Sequence, residues 1–274
     1  ERFIPNAADE GEFSVALDRE FRTRLSIPQD AKVFLTVGTM TGLKGHLELV
    51  QAFQLADFHG QKTILILNGN TPLFSGKKGD TLSLLRGLAE EYGMIYAAKH
   101  GLKLFLQKLG FQIGKANSIQ NWAMRINANK KTGKRVMVTD LPRDQLIQAY
   151  LQADLFVFAS NIEYSPLVLF EACAAGLPFL SVPVGNSVEI AAWTGGGEIC
   201  PADHDERGYT RVNPAVLAEK IEALLQNPER LSSLGKQGKE ACHTRYNWDA
   251  ITSEYENLFN SLVSQVFAEP GRHE

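Results

Sequence analysis

Residues 155–176 read LFVFASNIEYSPLVLFEACAAG, and this stretch determines the fold that the sequence predicts. The apolar run Leu155–Ala159 has the length of a buried strand, whereas Leu167–Ala175 has the apolar and small residues of a buried helix. Ser165 suits the N-cap of that helix, and Pro166 suits its first position. The helix should therefore begin just beyond the carboxyl end of the strand, where ligands bind in open α/β sheets.

The same alternation of short apolar strands and helical stretches extends along the chain. Further strands are predicted at 33–37, 63–67, Val136–Val138 and Phe179–Val182, and further helices at 47–55, Asp144–Gln152, Pro214–Leu225 and beyond Trp248. This order predicts an α/β, Rossmann-like domain with a doubly wound parallel sheet covered on both faces. We expect the domain to occupy residues 1–260, with 261–274 as a C-terminal tail.

Residues 73–135 break this alternation and are predicted to be a helical insertion within the domain. Four lysines accumulate there, namely Lys99, Lys103, Lys108 and Lys115. A solvated helical insertion explains them, and so does a lid or a surface that leans on a membrane. The sequence leaves these alternatives open.

The composition describes a globular protein and limits its partners. Of the 274 residues, 44% are hydrophobic and 22% are charged, with a formal net charge of -3, which argues against nucleic acid as a partner. Cys173, Cys200 and Cys242 have no paired spacing, which predicts reduced thiols in a cytoplasmic protein. No apolar run reaches the roughly 18–20 residues of a membrane span, and no signal peptide is recognisable. The chain opens on Glu1 without a methionine, so we expect a fragment of a longer protein.

Glu171 is the only charged residue between Glu163 and Glu189, and the rest of its predicted helix is apolar or small. A buried carboxylate without hydrogen-bond donors is costly, so Glu171 needs donors. These can come from an internal N–H, hydroxyl or lysine, or from the hydroxyls of a ligand. Glu163 precedes the helix in a loop, where it is either solvated or a ligand contact.

Two helix starts offer places for phosphate, because free amides and the helix dipole favour negative charge there. One is the helix after Glu163. The other follows residues 37–46 (VGTMTGLKGH), where Gly38 permits close approach of a ligand and Lys44 supplies a positive charge. As a bare pattern, this second loop is equally consistent with an ordinary glycine-rich turn.

Together these residues resemble a known family. Glu163, seven intervening residues and Glu171 match the E-x7-E motif of retaining GT-B glycosyltransferases of glycosyltransferase family four (glycosyl transferases group 1), and residues 184–190 (VGNSVEI) match its continuation. The resemblance covers residues 1–72 and 136–260. It implies that the chain is the C-terminal, donor-binding half of a GT-B fold and lacks the N-terminal acceptor domain.

The resemblance also implies roles for individual residues. Glu163 would orient the hexose and Lys44 would stabilise the leaving diphosphate, so both are predicted to be catalytic. Glu171 would bind the ribose of the donor. The other predicted donor contacts are Gly38, Thr39, Leu141 near the base, Ser165 and Leu167.

Two positions depart from the family pattern. Thr39 stands where relatives carry a basic residue, which leaves Lys44 as the one cation expected in its loop. Pro166 stands where many relatives have glycine, and because proline lacks an N–H the amide of Leu167 becomes the expected phosphate donor. His46 either touches phosphate or is a capping or solvent-facing residue. Residues 203–205 (DHD) are interpreted as a turn, and no metal site is predicted.

The implied activity is metal-independent transfer of a hexose, with retention, from a UDP- or GDP-sugar to an unknown saccharide or lipid-linked acceptor. Such a reaction belongs to polysaccharide, glycolipid or glycoconjugate synthesis, in the cytoplasm or at the inner face of the membrane. The donor is a substrate, no cofactor is predicted, and the fragment should bind donor without turnover. A nucleotide-sugar 2-epimerase of the same fold and a non-catalytic nucleotide-sugar-binding module are the alternatives. A nicotinamide-binding domain is disfavoured, because no G-x-G-x-x-G motif follows a strand.

Overall fold

A six-stranded parallel sheet is the centre of the computed structural model, which describes residues 3–40, 42–69 and 115–268 together with the helical positions 94 and 98. The strands are β1 (Lys32–Val37), β2 (Thr63–Asn68), β3 (Lys134–Thr139), β4 (Leu155–Phe158), β5 (Phe179–Ser181) and β6 (Gly197–Ile199). A separate antiparallel pair, β7 (Asp203–His204) and β8 (Thr210–Arg211), follows β6.

Helices cover the sheet and carry the chain from strand to strand. In the described residues they are α1 (Phe21–Arg24), α2 (His46–Leu55), α3 (Lys115–Ala128), α4 (Arg143–Gln152), α5 (Leu167–Ala174), α6 (Ser187–Thr194), α7 (Pro214–Leu225), α8 (Pro228–Thr244) and α9 (Trp248–Ala268). Single 3-10 turns lie at Glu10–Phe13 and Lys130–Thr132.

The strand order of the sheet is β3-β2-β1-β4-β5-β6, with every neighbouring pair parallel. The chain therefore builds outward from β1 to β3 and then returns to the other side of β1 to place β4. This reversal is a topological switch point, and the crevice beside the loops after β1 and β4 is the place where open α/β sheets bind ligands. The predicted doubly wound, Rossmann-like α/β fold is confirmed.

The inner strands of the sheet are buried on both faces, as their continuous apolar runs predict. All six residues of β2 are buried. An aromatic cluster fills the space between β1 and α2, where the ring of Phe34 meets the rings of Phe53 and Phe58 edge-on with centroids 6.0 and 5.6 Å apart. These contacts hold α2 against the sheet and thereby fix the loop that precedes it.

Several boundaries differ from those expected from the sequence. Helices α6 and α8 and strand β6 complete the half of the structure beyond β5, and none of the three was predicted. The boundary expected at residue 260 lies inside α9. Helix α3 lies within the expected insertion but packs against α2 and β3, so it is part of the layer that covers the sheet.

The rest of the expected insertion, with Lys99, Lys103 and Lys108, lies outside the described residues. Lys115 begins α3. Within the described part of the chain, no helix is both long and apolar enough to cross a membrane. Cys173, Cys200 and Cys242 are free cysteines, and all three are buried.

Replacing Phe53 with alanine should destabilise the domain by about 3–5 kcal/mol, because a fully buried aromatic ring leaves a cavity that the sheet cannot refill. Urea unfolding followed by far-UV circular dichroism measures this loss. Phe259→Ala is the matched control, since that ring is 59% exposed on α9 and its loss should change stability by no more than about 0.5 kcal/mol. Equal effects of the two substitutions would contradict the packing described here.

Candidate functional site

Lys44 and Glu163 form an ion pair across the switch point of the sheet. Lys44 comes from the loop after β1, and Glu163 comes from the loop after β4. Their side chains are only 25% and 21% exposed, so the pair is largely withdrawn from water. The two residues predicted to be catalytic are therefore in direct contact, whereas the sequence placed them only in the same crevice.

Gly45 makes this contact possible. It has a φ of +65°, and a Cβ at this position would lie 1.6 Å from the carbonyl oxygen of Ala159, so any other residue would push the loop off the end of β4. Next to it, the carbonyl oxygen of Leu43 accepts hydrogen bonds from the Asn161 amide at 2.9 Å and from the Ser160 hydroxyl at 3.4 Å. The two loops are thus joined through backbone atoms on both sides of the ion pair.

A second glycine fixes the loop that carries Glu163. Gly185 has a φ of +55°, and a Cβ there would lie 2.4 Å from the carbonyl oxygen of Tyr164 and 2.9 Å from that of Glu163. The same Tyr164 oxygen accepts a hydrogen bond from the Asn186 amide at 3.0 Å. The segment after β5 therefore supports the carboxylate loop from below, which gives residues 184–190 a physical role.

The predicted glycine-rich loop lies at the carboxyl end of β1. The Gly38 amide donates to the carbonyl oxygen of Asn68 at 3.0 Å, and the space where a Gly38 Cβ would project is lined by Lys44 and His46, the nearest atom being Lys44 Cγ at 3.4 Å. Thr39 is exposed beside it. Gly38, Thr39 and Lys44 thus share one edge of the crevice.

Ser165 does not cap α5, which corrects the sequence prediction. The N-cap is Pro166, in an extended conformation, and the helix begins at Leu167. The Ser165 hydroxyl instead accepts a hydrogen bond from the side-chain amide of Asn6 at 2.9 Å, which draws it toward the N-terminal segment. Leu167 is the first helical residue, so its amide is among those left free of helical partners.

Glu171 has internal donors on both carboxylate oxygens. Arg143 Nη1 lies 2.8 Å from Oε1 in an ion pair, and the Tyr150 hydroxyl donates to Oε2 at 2.9 Å. Of the sources that the sequence left open, the structure supplies the internal one. The carboxylate side chain remains 19% exposed, so it is still open to the crevice.

Arg143 and Tyr150 were missed by the sequence reasoning, although a signal was present. They lie seven residues apart on α4, which places them on the same face of the helix. An arginine in the first helical turn after a strand points toward the carboxyl edge of the sheet, where the candidate site lies. That the partner is Glu171 follows only from the way α4 and α5 pack.

Leu141, which was predicted to lie near the base, follows β3 closely. Its amide donates to the Asn68 side-chain oxygen at 2.8 Å, and the Thr139 hydroxyl donates to the same oxygen at 3.0 Å. The buried Asn68 thereby ties the ends of β2 and β3 together. Leu141 thus lies at the predicted edge of the sheet, and its contact with a base stays a prediction.

His46 is buried, with both ring nitrogens lacking a hydrogen-bond partner in the described structure. The expectation of a capping or solvent-facing residue is wrong, because the N-cap of α2 is Gly45 and the imidazole packs beneath Gly38. Burial, followed by the nearby Lys44 cation, lowers the pKa of His46 to about 4. The ring is therefore neutral at physiological pH.

Two other features of the described chain do not form a ligand site of this kind. The side chain of Asp205 accepts hydrogen bonds from the Arg207 and Tyr209 amides, so it closes the β7–β8 turn. Among the described residues, no group of three histidine, cysteine or acidic side chains is arranged to hold a metal. A cavity of about 450 Å³ lies at the opposite edge of the sheet, where Lys32 is already paired with Asp154.

Residues 125–241 match the family described as Glycosyl transferases group 1. This region contains Glu163 and Glu171 with the partners Arg143 and Tyr150, whereas Lys44 lies before it. Among curated proteins, the chain is 22% identical over 273 residues to the uncharacterized glycosyltransferase MJ1607 of Methanocaldococcus jannaschii, covering 97% of the chain and 55% of that protein. It is 24% identical over 267 residues to a D-inositol 3-phosphate glycosyltransferase of Corynebacterium jeikeium, covering 95% and 52%.

The chain thus spans about half the length of these curated relatives. A shorter match, 30% identical over 125 residues, is to the sulfoquinovosyl transferase SQD2 of Arabidopsis thaliana and covers 44% of the chain and 22% of that protein. The part of the chain that contains both carboxylates is therefore similar to glycosyl transferases group 1 domains.

Solved structures share the fold. Sucrose-phosphate synthase from Thermosynechococcus elongatus aligns with a TM-score of 0.60 at 21% identity, covering 96% of the chain and 53% of that structure. Anabaena HepE in complex with UDP-glucose aligns with a TM-score of 0.61 at 14% identity, covering 95% and 57%. The C-terminal domain of LpcC from Francisella tularensis aligns with a TM-score of 0.54 at 14% identity, covering 88% and 99%. The fold is thus the Rossmann-like fold of GT-B structures.

Buried neutral His46 should make the domain sensitive to acid. The unfolded chain binds this proton near pH 6.5, but the folded chain binds it only near pH 4. Protons therefore favour unfolding between these values, and stability falls as the pH drops from about 6.5 toward 4. Between pH 7 and pH 5, the free energy of unfolding should fall by about 2 kcal/mol more in wild type than in His46→Phe. Urea unfolding at both pH values measures this difference, and equal losses in the two proteins would contradict it.

Proposed function

We propose that this chain is the donor-binding, C-terminal half of a retaining glycosyltransferase that transfers a hexose from a UDP- or GDP-sugar. The ion pair between Lys44 and Glu163 at the switch point carries the proposal. It brings a phosphate-binding cation and a sugar-binding carboxylate into contact at the edge of a parallel sheet where such folds bind ligands. The family match and the likeness to a structure solved with UDP-glucose support the same class of donor.

In this proposal, the ion pair opens when the donor binds. The Lys44 ammonium turns to the diphosphate, and the Glu163 carboxylate turns to the hexose hydroxyls. The free amides at the N-terminus of α5, beginning with that of Leu167, donate to the phosphate oxygens. Lys44 exchanges Glu163 for the diphosphate, and Glu163 exchanges Lys44 for the hexose hydroxyls. Neither charge is therefore left without a partner in a crevice that is partly shielded from water.

The reaction would break the bond between C1 of the sugar and the diphosphate oxygen. The electron pair passes to that oxygen, the acceptor oxygen forms the new bond to C1 on the same face, and the proton of the acceptor hydroxyl passes to the leaving diphosphate. Lys44 and the amides stabilise the negative charge that grows on the leaving diphosphate, without a metal ion. Glu163 orients the hexose, and Leu141 lies on the side expected for the base.

Glu171 is proposed to bind the ribose even though Arg143 and Tyr150 already donate to it. An ionised carboxylate offers about four lone-pair positions on its two oxygens. Two of these accept from the internal donors, and the others remain for the two neighbouring ribose hydroxyls. The internal partners therefore remove the cost of burying Glu171 without filling its capacity as an acceptor.

The acceptor is proposed to be a saccharide or a lipid-linked saccharide. We propose that an N-terminal domain of the whole enzyme holds it. We place the protein in the cytoplasm or at the inner face of the membrane.

A non-catalytic nucleotide-sugar-binding module is the second candidate function, and one observation favours it. Exposed Thr39 occupies the position at which the family resemblance leads us to expect a second cation.

Substitutions of the two members of the ion pair should have different effects on the affinity for a nucleoside diphosphate. Lys44→Met removes the phosphate cation and should weaken binding of UDP or GDP by about tenfold or more, as expected for a charge-assisted hydrogen bond. Glu163→Gln frees Lys44 from its competitor, so the affinity for the plain nucleoside diphosphate should be unchanged or higher. The same variant should lose the extra affinity for the sugar-bearing donor, because the hexose contact is weakened.

Isothermal titration calorimetry with UDP, GDP and their glucose and mannose esters measures these affinities. Lys236→Met is the matched control, since this exposed lysine of α8 lies away from the crevice. Failure of the wild-type chain to bind any nucleoside diphosphate at high concentration would refute the donor site. A loss of diphosphate affinity in Glu163→Gln equal to that in Lys44→Met would refute the competition between the two ligands of Lys44.

The isolated chain should bind donor without transferring its sugar, because it spans only about half the length of its curated relatives and is proposed to be the donor-binding half. A longer form of the protein that includes the proposed acceptor domain should release UDP or GDP from the donor, detected by a coupled nucleotide assay, and Lys44→Met should abolish the release. Product analysis by NMR would identify transfer with retention or, for an epimerase, a sugar altered at C2. A full-length protein that binds donor yet releases no nucleotide with any saccharide acceptor would favour the non-catalytic module.

A further inference from the structure

We propose that Arg143 and Tyr150 are positioning residues that hold the Glu171 carboxylate as a two-point acceptor for a pair of neighbouring ribose hydroxyls. They would thereby make the site select ribonucleotides over 2′-deoxyribonucleotides. The inference rests on the proposed donor site. It adds a specificity device to that site, built from α4 and from the N-terminal turn at Glu10–Phe13.

Tyr150 gives one fixed point. Its ring is fully buried, stacked on Phe156 with centroids 5.5 Å apart, and met edge-on by Phe13 at 5.7 Å. A buried ring packed against two other rings has little freedom to move its hydroxyl away from Glu171 Oε2, 2.9 Å distant. Burial, reinforced by the neighbouring carboxylate, raises the pKa of Tyr150 well above its usual value. The phenol therefore stays protonated and donates.

Arg143 gives the second fixed point. Its guanidinium is held on one side by Glu12, which takes bonds from Nε at 3.1 Å and from Nη2, and it lies over the ring of Phe13 with Cζ 5.7 Å from the centroid. This arrangement leaves Nη1 directed at Glu171 Oε1, 2.8 Å away. The hydrogen bonding to Glu12 is the largest cause of the raised pKa of Arg143. The guanidinium therefore remains charged independently of its contact with Glu171.

The two donors reach different oxygens, and this division fixes the orientation of the carboxylate. A carboxylate with a single donor can still turn about the bond to its chain, whereas one held at Oε1 by Arg143 and at Oε2 by Tyr150 cannot. Each oxygen then retains lone-pair capacity for one more hydrogen bond. Two acceptors at fixed separation match two neighbouring hydroxyls, so loss of one hydroxyl leaves one acceptor without its partner.

The surroundings of Glu171 make such anchoring necessary. On α5 the residues one helical turn away, Leu167 and Ala174, are apolar and offer no side-chain donor. An ionised carboxylate in such a setting either acquires donors or moves toward water. With its internal donors it stays at the edge of the crevice, 19% exposed, before any ligand arrives. Preorganisation of this kind spares the ligand the cost of ordering the group that it contacts.

The test compares affinities for a ribonucleotide and its 2′-deoxy form, using UDP and 2′-deoxy-UDP, or GDP and 2′-deoxy-GDP if wild type prefers guanine. Wild type should bind the ribonucleotide about tenfold more tightly, as expected for a hydrogen bond to a charged acceptor. In Tyr150→Phe and in Arg143→Met this ratio should fall at least about threefold, and in the double variant it should approach one. Arg230→Met is the matched control. Arg230 lies on α8, away from the crevice, and its Nε pairs with Oε1 of Glu198 on β6 at 2.8 Å.

The ratio separates positioning from the other possible effects. A direct contact of Arg143 with phosphate would weaken both nucleotides by the same factor and leave the ratio unchanged, which would overturn the proposal. A ratio preserved in both single variants would overturn it as well. Arg143 is 41% exposed, so Arg143→Met decides the matter even if Tyr150→Phe melts below the assay temperature. If wild type binds neither nucleotide, the donor site itself is refuted and the proposal falls with it, whereas binding without ribose discrimination refutes only the positioning role.

Discussion

The close approach of Gly45 to the carbonyl oxygen of Ala159 is the constraint on which the candidate site depends. A Cβ at Gly45 would lie 1.6 Å from that oxygen, so only glycine lets the start of α2 rest on the end of β4. The strand order requires the two loops to meet, since β1 and β4 are neighbours at the point where the chain reverses. This pair of conditions brings Lys44 and Glu163 within reach of each other, and their opposite charges then form the ion pair.

The charged groups of the crevice are neutralised in two ways: Lys44 and Glu163 pair with each other, whereas Glu171 is neutralised by donors held elsewhere in the protein. Lys44 and Glu163 have each other, and a ligand that carries both phosphate and hydroxyl groups can replace each of these partners at once. Glu171 is different, because its donors Arg143 and Tyr150 are held by other parts of the protein. The first pair is suited to exchange and the second group is suited to stay in place. A crevice with this division can accept an anionic ligand without leaving an uncompensated charge.

Much of the fold could be read from the sequence. The apolar runs before Gly38, Asn68 and Ser160 correspond to β1, β2 and β4, because strands buried on both faces must be continuously apolar. Strand β6 and helix α8 escaped prediction for physical reasons. Strand β6 has three residues and only pairs because β5 lies beside it, whereas α8 is so rich in polar residues that only a few apolar positions mark its buried face. Ser165 misled the prediction because Pro166 took the N-cap and Asn6 took the hydroxyl.

The candidate site divides in the same way. Glu163 and Glu171 are conspicuous in the sequence because few charges surround them, and Lys44 is conspicuous as a cation in a glycine-rich turn. The sequence could not decide between internal donors and ligand donors for Glu171, because that choice depends on how closely α4 packs against α5. It also could not separate a buried His46 from an exposed one, since the first turn of a helix has both an inner and an outer face.

The sequence by itself determined the elements and their order, and so the doubly wound sheet and the edge at which its loops gather, because hydrophobic periodicity and strand length are local properties. Only the tertiary structure decided that Lys44 pairs with Glu163, that Arg143 and Tyr150 complete Glu171, and that His46 is buried. Each of these contacts joins residues from different elements. Whether such groups meet depends on side-chain reach and packing distances within ångströms, which no spacing along the chain specifies.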